Sequence, residues 1–315
     1  MTPQQEERAP AAERYQPGFA QRHKTIADLD AHMARVWSDY LQALLARPGL
    51  DKRTRLLVLT GQYAMTGNAP RLRETIQACI AGAIDLKEVL EVIFHSMIYG
   101  GEARMTAAVE TFVEEVGHAG LLEDVRARAV DWPRLRNERS EGQERKTWAE
   151  EDAGDSRTPG LLDRYGWERI SPGFRLRPKS HINQIATLDL LDTDFARDWL
   201  DAIYLGMYMR GVLDDRTRIL CMVGNCLSIG ESIQLKGHIR GAIEQGASPG
   251  EVLEVILQSC VIVGHPYSLG PGIDSLVEIV DGMGRLGELT DSPDQLVAAV
   301  RSRKPTVRTS HPGSQ

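Results

Sequence analysis

The sequence predicts an all-α chain built from two tandem copies of one helical domain, and three observations carry that prediction. The first is an internal repeat. The segment LDKRTRLLVL from Leu50 returns at Leu213 as LDDRTRILCM, and the same offset of 163 positions carries EVLEVI at Glu88 onto EVLEVI at Glu251. No gap intervenes, and the match runs on through Gly61/Gly224, Gly67/Gly230, Leu72/Leu235, Ile76/Ile239, Ser96/Ser259 and Gly101/Gly264. The second is periodicity: Leu86, Val89, Leu90, Ile93 and Met97, then Val252, Leu253, Ile256, Leu257 and Cys260, follow the i, i+3, i+4 rule of a helix face. The third is the lack of any alternating strand pattern or Asn-Gly hairpin signal. Each copy is about 115–135 residues long, domain-sized rather than the roughly 20–50 residues of a solenoid unit.

Taken in order, residues 1–20 are polar and Pro-containing, and read as a disordered tail. The first repeat spans 21–133. IADLD at Ile26 echoes IATLD at Ile185, and Ala34-Arg35 with Trp37 echoes Ala196-Arg197 with Trp199. Asp51 and Asp214 suit the N-cap of a helix that is apolar nearly all round. Asp85-x-x-Glu88 and Ser248-x-x-Glu251 match the capping box, and Pro249 suits a first helical position. Val92 and Val255 widen the apolar stripe of the following helices, which predicts that they are central and buried. Both end at a glycine break, Gly100-Gly101 in one copy and Gly264-His265-Pro266 in the other. Residues 134–160 are charged, almost free of aliphatics and end in Pro-Gly, which reads as a solvated linker. The second repeat spans 161–300, and 301–315 form a second polar tail.

Composition narrows the function classes. The 315 residues hold 37 Lys+Arg against 44 Asp+Glu, a net charge of −7 without the basic excess that a phosphate backbone demands, so nucleic acid is not an expected partner. No apolar run reaches the roughly 18–20 residues of a membrane span, and the N-terminus lacks the apolar core of a signal peptide. A cytoplasmic location and no membrane partner are expected. Cys79, Cys221, Cys226 and Cys260 form neither a CxxC pair nor a zinc-like cluster, so reduced, buried thiols and no metal site are expected.

Histidines carry most of the remaining chemistry. His238, in Lys236-Gly237-His238-Ile239-Arg240-Gly241, corresponds to Thr75 of the first copy. His265 precedes Pro266 at the helix break, which disfavours helical backbone for it and displays the imidazole; Glu102 and Ala103 stand there in the first copy. His95, matched by Gln258, lies on a nearly all-apolar helix, where burial favours a neutral ring suited to a general base. Arg53/Arg216 and Arg55/Arg218 recur in both copies while the histidines diverge, which favours structural ion pairs, although Arg is also a carboxylate clamp.

The DxRTR segments, His238-Ile239-Arg240-Gly241-Ala242-Ile243-Glu244-Gln245-Gly246-Ala247, the EVLEVI segments and Gly264-His265-Pro266 resemble the carboxymuconolactone decarboxylase family, which includes the alkylhydroperoxidase D-like proteins. The resemblance covers roughly two-thirds of the chain and is closer in the second copy. It implies an alkylhydroperoxidase D-like helical domain in each repeat, the two forming a pseudo-dimer, and rings that make the chain a trimer with pseudo-hexameric symmetry. The family's peroxidase branch uses a Cys-x-x-Cys pair followed by His, and this chain has no such pair. Cys221 and Cys226, about 140° apart around a helix, do not face each other.

The resemblance therefore implies the cofactor-independent lyase branch, acting on a small carboxylated lactone, β-keto acid or related enolisable molecule, in aromatic catabolism or secondary metabolism. An isomerase or cyclase using the same groups, a thiol peroxidase-like protein and a non-catalytic assembly protein are the alternatives. On this footing His238 and His265 form the acid/base and oxyanion-binding pair and Glu231 orients them. Arg218 or Arg240 meets the substrate carboxylate, and the first copy, with Glu102 in place of His265, contributes His95 and Tyr99.

Overall fold

A computed structural model of the chain describes residues 10–128, 138–177 and 181–303, and the regular elements among them are all helices. The two repeats share one plan. Helices α4 (Lys52–Thr66), α5 (Ala69–Ala81) and the long α6 (Leu86–His118) recur as α13 (Asp215–Ile229), α14 (Ser232–Glu244), α15 (Pro249–Val263) and α16 (His265–Gly282). Asp51 and Asp214 each accept a hydrogen bond of 2.8 Å from the backbone N–H of a threonine, Thr54 and Thr217, as the N-cap geometry requires. Ser248 and Glu251 form the reciprocal capping box. Asp85 caps through Lys87 N–H instead, because Glu88 is turned to Arg53.

The glycine break is the same backbone device twice. Gly101 sits at φ 75, ψ 180 inside α6, and Gly264 at φ 76, ψ 172 between α15 and α16. That conformation is open essentially only to glycine. It also answers the expectation for His265. Gly264 takes the extended turn, and His265 opens α16 as a helical residue with Pro266 behind it.

The halves meet along α4 and α13. A Cβ at Gly61 would lie 2.8 Å from Asn225 Oδ1, and one at Gly224 only 3.0 Å from Val58 Cγ1, so paired glycines set the close approach. Reciprocal ion pairs flank this contact. Glu91 of the first half binds Arg210 at 2.8 Å and Arg218 at 3.2 Å; Glu254 of the second binds Arg47 at 2.7 Å and Arg55 at 3.5 Å. Arg53 and Arg216 pair with Glu88 and Glu251 on their own halves. The shared arginines are thus structural, and the two repeats form one pseudo-dimeric body.

Three stretches differ from what composition suggests. Within the N-terminal tail, α1 (Ala11–Tyr15) and α2 (Phe19–Ala27) are formed, and Ala11, Ala12, Tyr15 and Phe19 are buried; residues 1–9 lie outside the described residues. The charged linker holds α8 (Glu138–Gly154), whose Trp148 is fully buried edge-on to Phe174 and His181, while Asp152 accepts the N–H groups of Leu161 and Leu162. One large aromatic gives a polar helix its anchor. At the C-terminus a helix, Pro293–Arg303, continues three residues into the expected tail, and 304–315 lie outside the described residues.

The remaining difference is a π-helix, Leu200–Tyr208, where the first copy runs as the ordinary helix α3 (Ala31–Leu45). Leu50 follows Trp37 by 13 positions, whereas Leu213 follows Trp199 by 14. The wider turn absorbs the extra residue.

Candidate active site

One cluster of polar residues that the two halves bring together centres on His238. His238 on α14 is 1% exposed. Its Nδ1 lies 3.2 Å from the carbonyl oxygen of Leu176, which only accepts, so Nδ1 carries the proton and Nε2 is left as acceptor. Tyr99 of α6, from the other half, donates its hydroxyl to that Nε2 in a short hydrogen bond. Gly241 makes this possible: a Cβ there would lie 2.4 Å from Leu176 O, so only glycine lets α14 approach the carbonyl.

Burial and the nearby Arg177 cation lower the His238 pKa to about 3, and burial raises that of Tyr99 well above the usual phenol range. At neutral pH the pair is a neutral imidazole facing a neutral phenol. Tyr208, on the π-helix, is within hydrogen-bonding reach of Tyr99, and burial pushes its own hydroxyl up to about 12. Its ring stacks on Tyr204 at 5.6 Å, and the Tyr204 hydroxyl meets His181 Nδ1 at 2.7 Å. Arg177, 8% exposed, lowers the proton affinity of Tyr99, Tyr208, His181 and His238 alike, so it is the cation of the whole cluster.

His95 joins from below. Its Nε2 accepts from Arg218 Nη1 at 2.6 Å, and its ring lies 5.9 Å from Tyr208. Burial and the Arg218 charge hold His95 well below the usual imidazole pKa, so its 3.7 Å approach to Glu91 is not an ion pair.

Several expected roles change with these positions. Hydrogen bonds join His238 to Tyr99 and His265 to Tyr40, so the hydrogen-bond partner of each of these histidines is a tyrosine and not the other histidine. His265 is exposed, with Nε2 2.7 Å from Tyr40 Oη. Glu231 is the N-cap of α14, accepting from Ile233 N at 2.6 Å and Gln234 N at 3.0 Å, a role that Asn68 fills in the first copy; it does not orient an imidazole. Arg218 is fully buried and holds Glu91, His95 and the carbonyls of Arg210 and Leu213, which leaves it no free fork for a substrate carboxylate. Arg240 pairs with Glu244 at 3.6 Å on its own helix, and Glu102 is exposed one residue past the Gly101 kink. Among the described residues no hydrogen bond or ion pair joins either side chain to the cluster.

Tyr208, Tyr204, His181 and Arg177 escaped the sequence argument. Tyr204 and Tyr208 lie outside the ungapped repeat, and the one-residue insertion beside them is the signal that marks them. At the pseudo-equivalent place in the other half, Gln258, Ile262 and Thr75 stand for His95, Tyr99 and His238, so the cluster forms once.

Comparison with known proteins agrees with this architecture. The model of the carboxymuconolactone decarboxylase family matches residues 31–114 and again 193–268. A curated relative from Paracoccus denitrificans, named only as an uncharacterized 15.0 kDa protein in the nqo9-nqo10 intergenic region, is 32% identical over 89 residues, 28% of this chain and 64% of its own length. The chain thus spans just under two-thirds of that relative. With both helical halves matched, the chain belongs to the carboxymuconolactone decarboxylase family, as a tandem two-repeat member.

Proposed function

We propose that the chain is a cofactor-independent lyase of decarboxylase type, acting on a carboxylated lactone, β-keto acid or related enolisable small molecule at the Tyr99–His238 cluster. The observation that carries this is the neutral imidazole of one repeat hydrogen-bonded to a protonated phenol of the other beside a buried cation. As CO2 leaves, the C–C bonding electrons move onto the substrate's carbonyl oxygen. Tyr99 donates to that developing oxyanion and Arg177 supplies the compensating charge. His238 Nε2 takes the proton of the substrate's carboxyl group as CO2 leaves and returns that proton to the carbon, which ends with a C–H bond in place of the broken C–C bond. His265 and Tyr40 belong to a separate, exposed pair.

Thiol peroxidase chemistry fits poorly, since burial raises the Cys221 thiol to about 12 and pushes Cys226 up as well, opposite to what a reactive thiolate needs. The neutral state of His238 favours one second reading, an isomerase or cyclase that uses Nε2 as base.

The test is CO2 release from a panel of carboxylated lactones and β-keto acids. His238→Gln and Tyr99→Phe each lower kcat by about 100-fold or more with the helical spectrum unchanged; turnover equal to the parent protein in both variants overturns the assignment. Solvent deuterium entering the substrate without CO2 loss selects the isomerase.

The exposed apolar residues Leu29 and Met33 of the first half recur as Leu191 and Phe195 of the second. We propose that they are covered by further copies of the chain in a trimer.

A further inference from the structure

A cavity of about 260 Å³ opens in the first half between α4, α5 and the part of α6 beyond the kink, with walls that include Ala64, Leu72, Ala107 and Ala108. Arg104 stands among the lining residues and rests directly on Gly67: its Nη1 lies 1.6 Å from where a Cβ would be. Gly67 ends α4 at φ 67, so glycine serves both the turn and the seat of the guanidinium. Nearby Arg71 and Arg73 are paired with Glu74 and with Glu114 and Glu115. Arg104 has no ion pair or hydrogen bond among the described residues.

The second half is built differently at the same place. Tyr267 stands at the position matching Arg104, with its Cδ1 3.3 Å from a Cβ on Gly230, and Pro266 and Pro271 stand where the first half has Ala103 and Ala108. In the first half, two alanines and one cation thus line the cavity where the second half has two prolines and an aromatic ring. Apart from Tyr63 and Thr111 its walls are apolar, and the single charge at its edge is the planar, bidentate donor that a carboxylate matches. An apolar cavity of about 150 Å³ holds benzene, so this one takes a ring with a substituent.

We propose that the first repeat, which has Thr75 where the second has His238, holds a second ligand site for a monocarboxylate with a compact apolar body, clamped by Arg104. Isothermal titration of the full chain with sodium benzoate at low ionic strength tests this. Binding to the parent protein, weakened at least tenfold by Arg104→Ala and abolished by Ala107→Phe, is expected, with neutral benzamide binding at least tenfold more weakly. His238→Gln leaves benzoate affinity unchanged, which separates this site from the proposed active site. No benzoate binding to the parent protein, equal affinity in Arg104→Ala, or loss of binding in His238→Gln overturns the proposal.

Discussion

At His238 burial and chemistry act on the same proton. An imidazole taken out of water beside Arg177 stays neutral, and the Leu176 carbonyl then decides which nitrogen keeps its hydrogen. His95 and His181 are held neutral by burial in the same way. The linkage has a definite sign. Below the ordinary imidazole value of 6.5 the unfolded chain binds protons that the folded chain refuses, so stability is full above about pH 6.5 and falls as pH drops toward 3. Each histidine contributes about 1.4 kcal/mol per pH unit to that loss. Urea unfolding between pH 7 and 5.5 should show it, and His238→Gln should remove about one proton from the slope; an unaltered slope would mean that the ring titrates in the folded protein. His238 was visible in the sequence as a singular residue, but its partner was not. Sequence spacing relates residues on one helix, whereas Tyr99 comes from 139 positions away.

Among the elements, the glycine break shows how far a repeat can be read. Two copies keep Gly101 and Gly264 because the same φ near 75° is needed in both. Nothing lies within 4 Å of a Cβ built at Gly101, so Gly101→Ala meets only backbone strain. A loss of about 1–3 kcal/mol with an unchanged urea m-value is expected; a neutral effect would show that the kink relaxes freely. The π-helix was less legible, since a single insertion in an apolar stretch leaves the hydrophobic pattern almost intact. Its effect is local: it carries Tyr204 and Tyr208 to the cluster, while the first copy continues as an ordinary helix. The linker is hard to read for the opposite reason, because charge dominates its composition while its anchor is the single residue Trp148.

For the whole molecule, duplication gives two equivalent places and divergence leaves them unequal. One holds the polar cluster, with Glu91, Arg218 and His95 beneath it; the other keeps the ion pairs of Glu254 with Arg47 and Arg55 and substitutes Gln258 for the imidazole. Charge pairs that hold the halves together persisted, and the groups with chemistry did not. The exposed apolar residues also obey the pseudo-symmetry, which is the basis for a trimer. Light scattering should give three times the chain mass, and Leu29→Glu with Phe195→Glu should reduce it to one; a monomeric parent protein ends that assembly model.

The sequence by itself determined the helical class, the duplication, the caps, the glycine breaks and the family, since all of these rest on local backbone preference or on the repeat. Only the tertiary structure decided which histidine has a partner, that Glu231 is a cap, that Arg218 is fully engaged and that Arg177 is the cation of the cluster. The Tyr99–His238 and Arg218–Glu91 contacts join residues more than a hundred positions apart, and the protonation of the cluster depends on the loss of water around it. Neither separation in space nor desolvation is written in the spacing of residues along a chain.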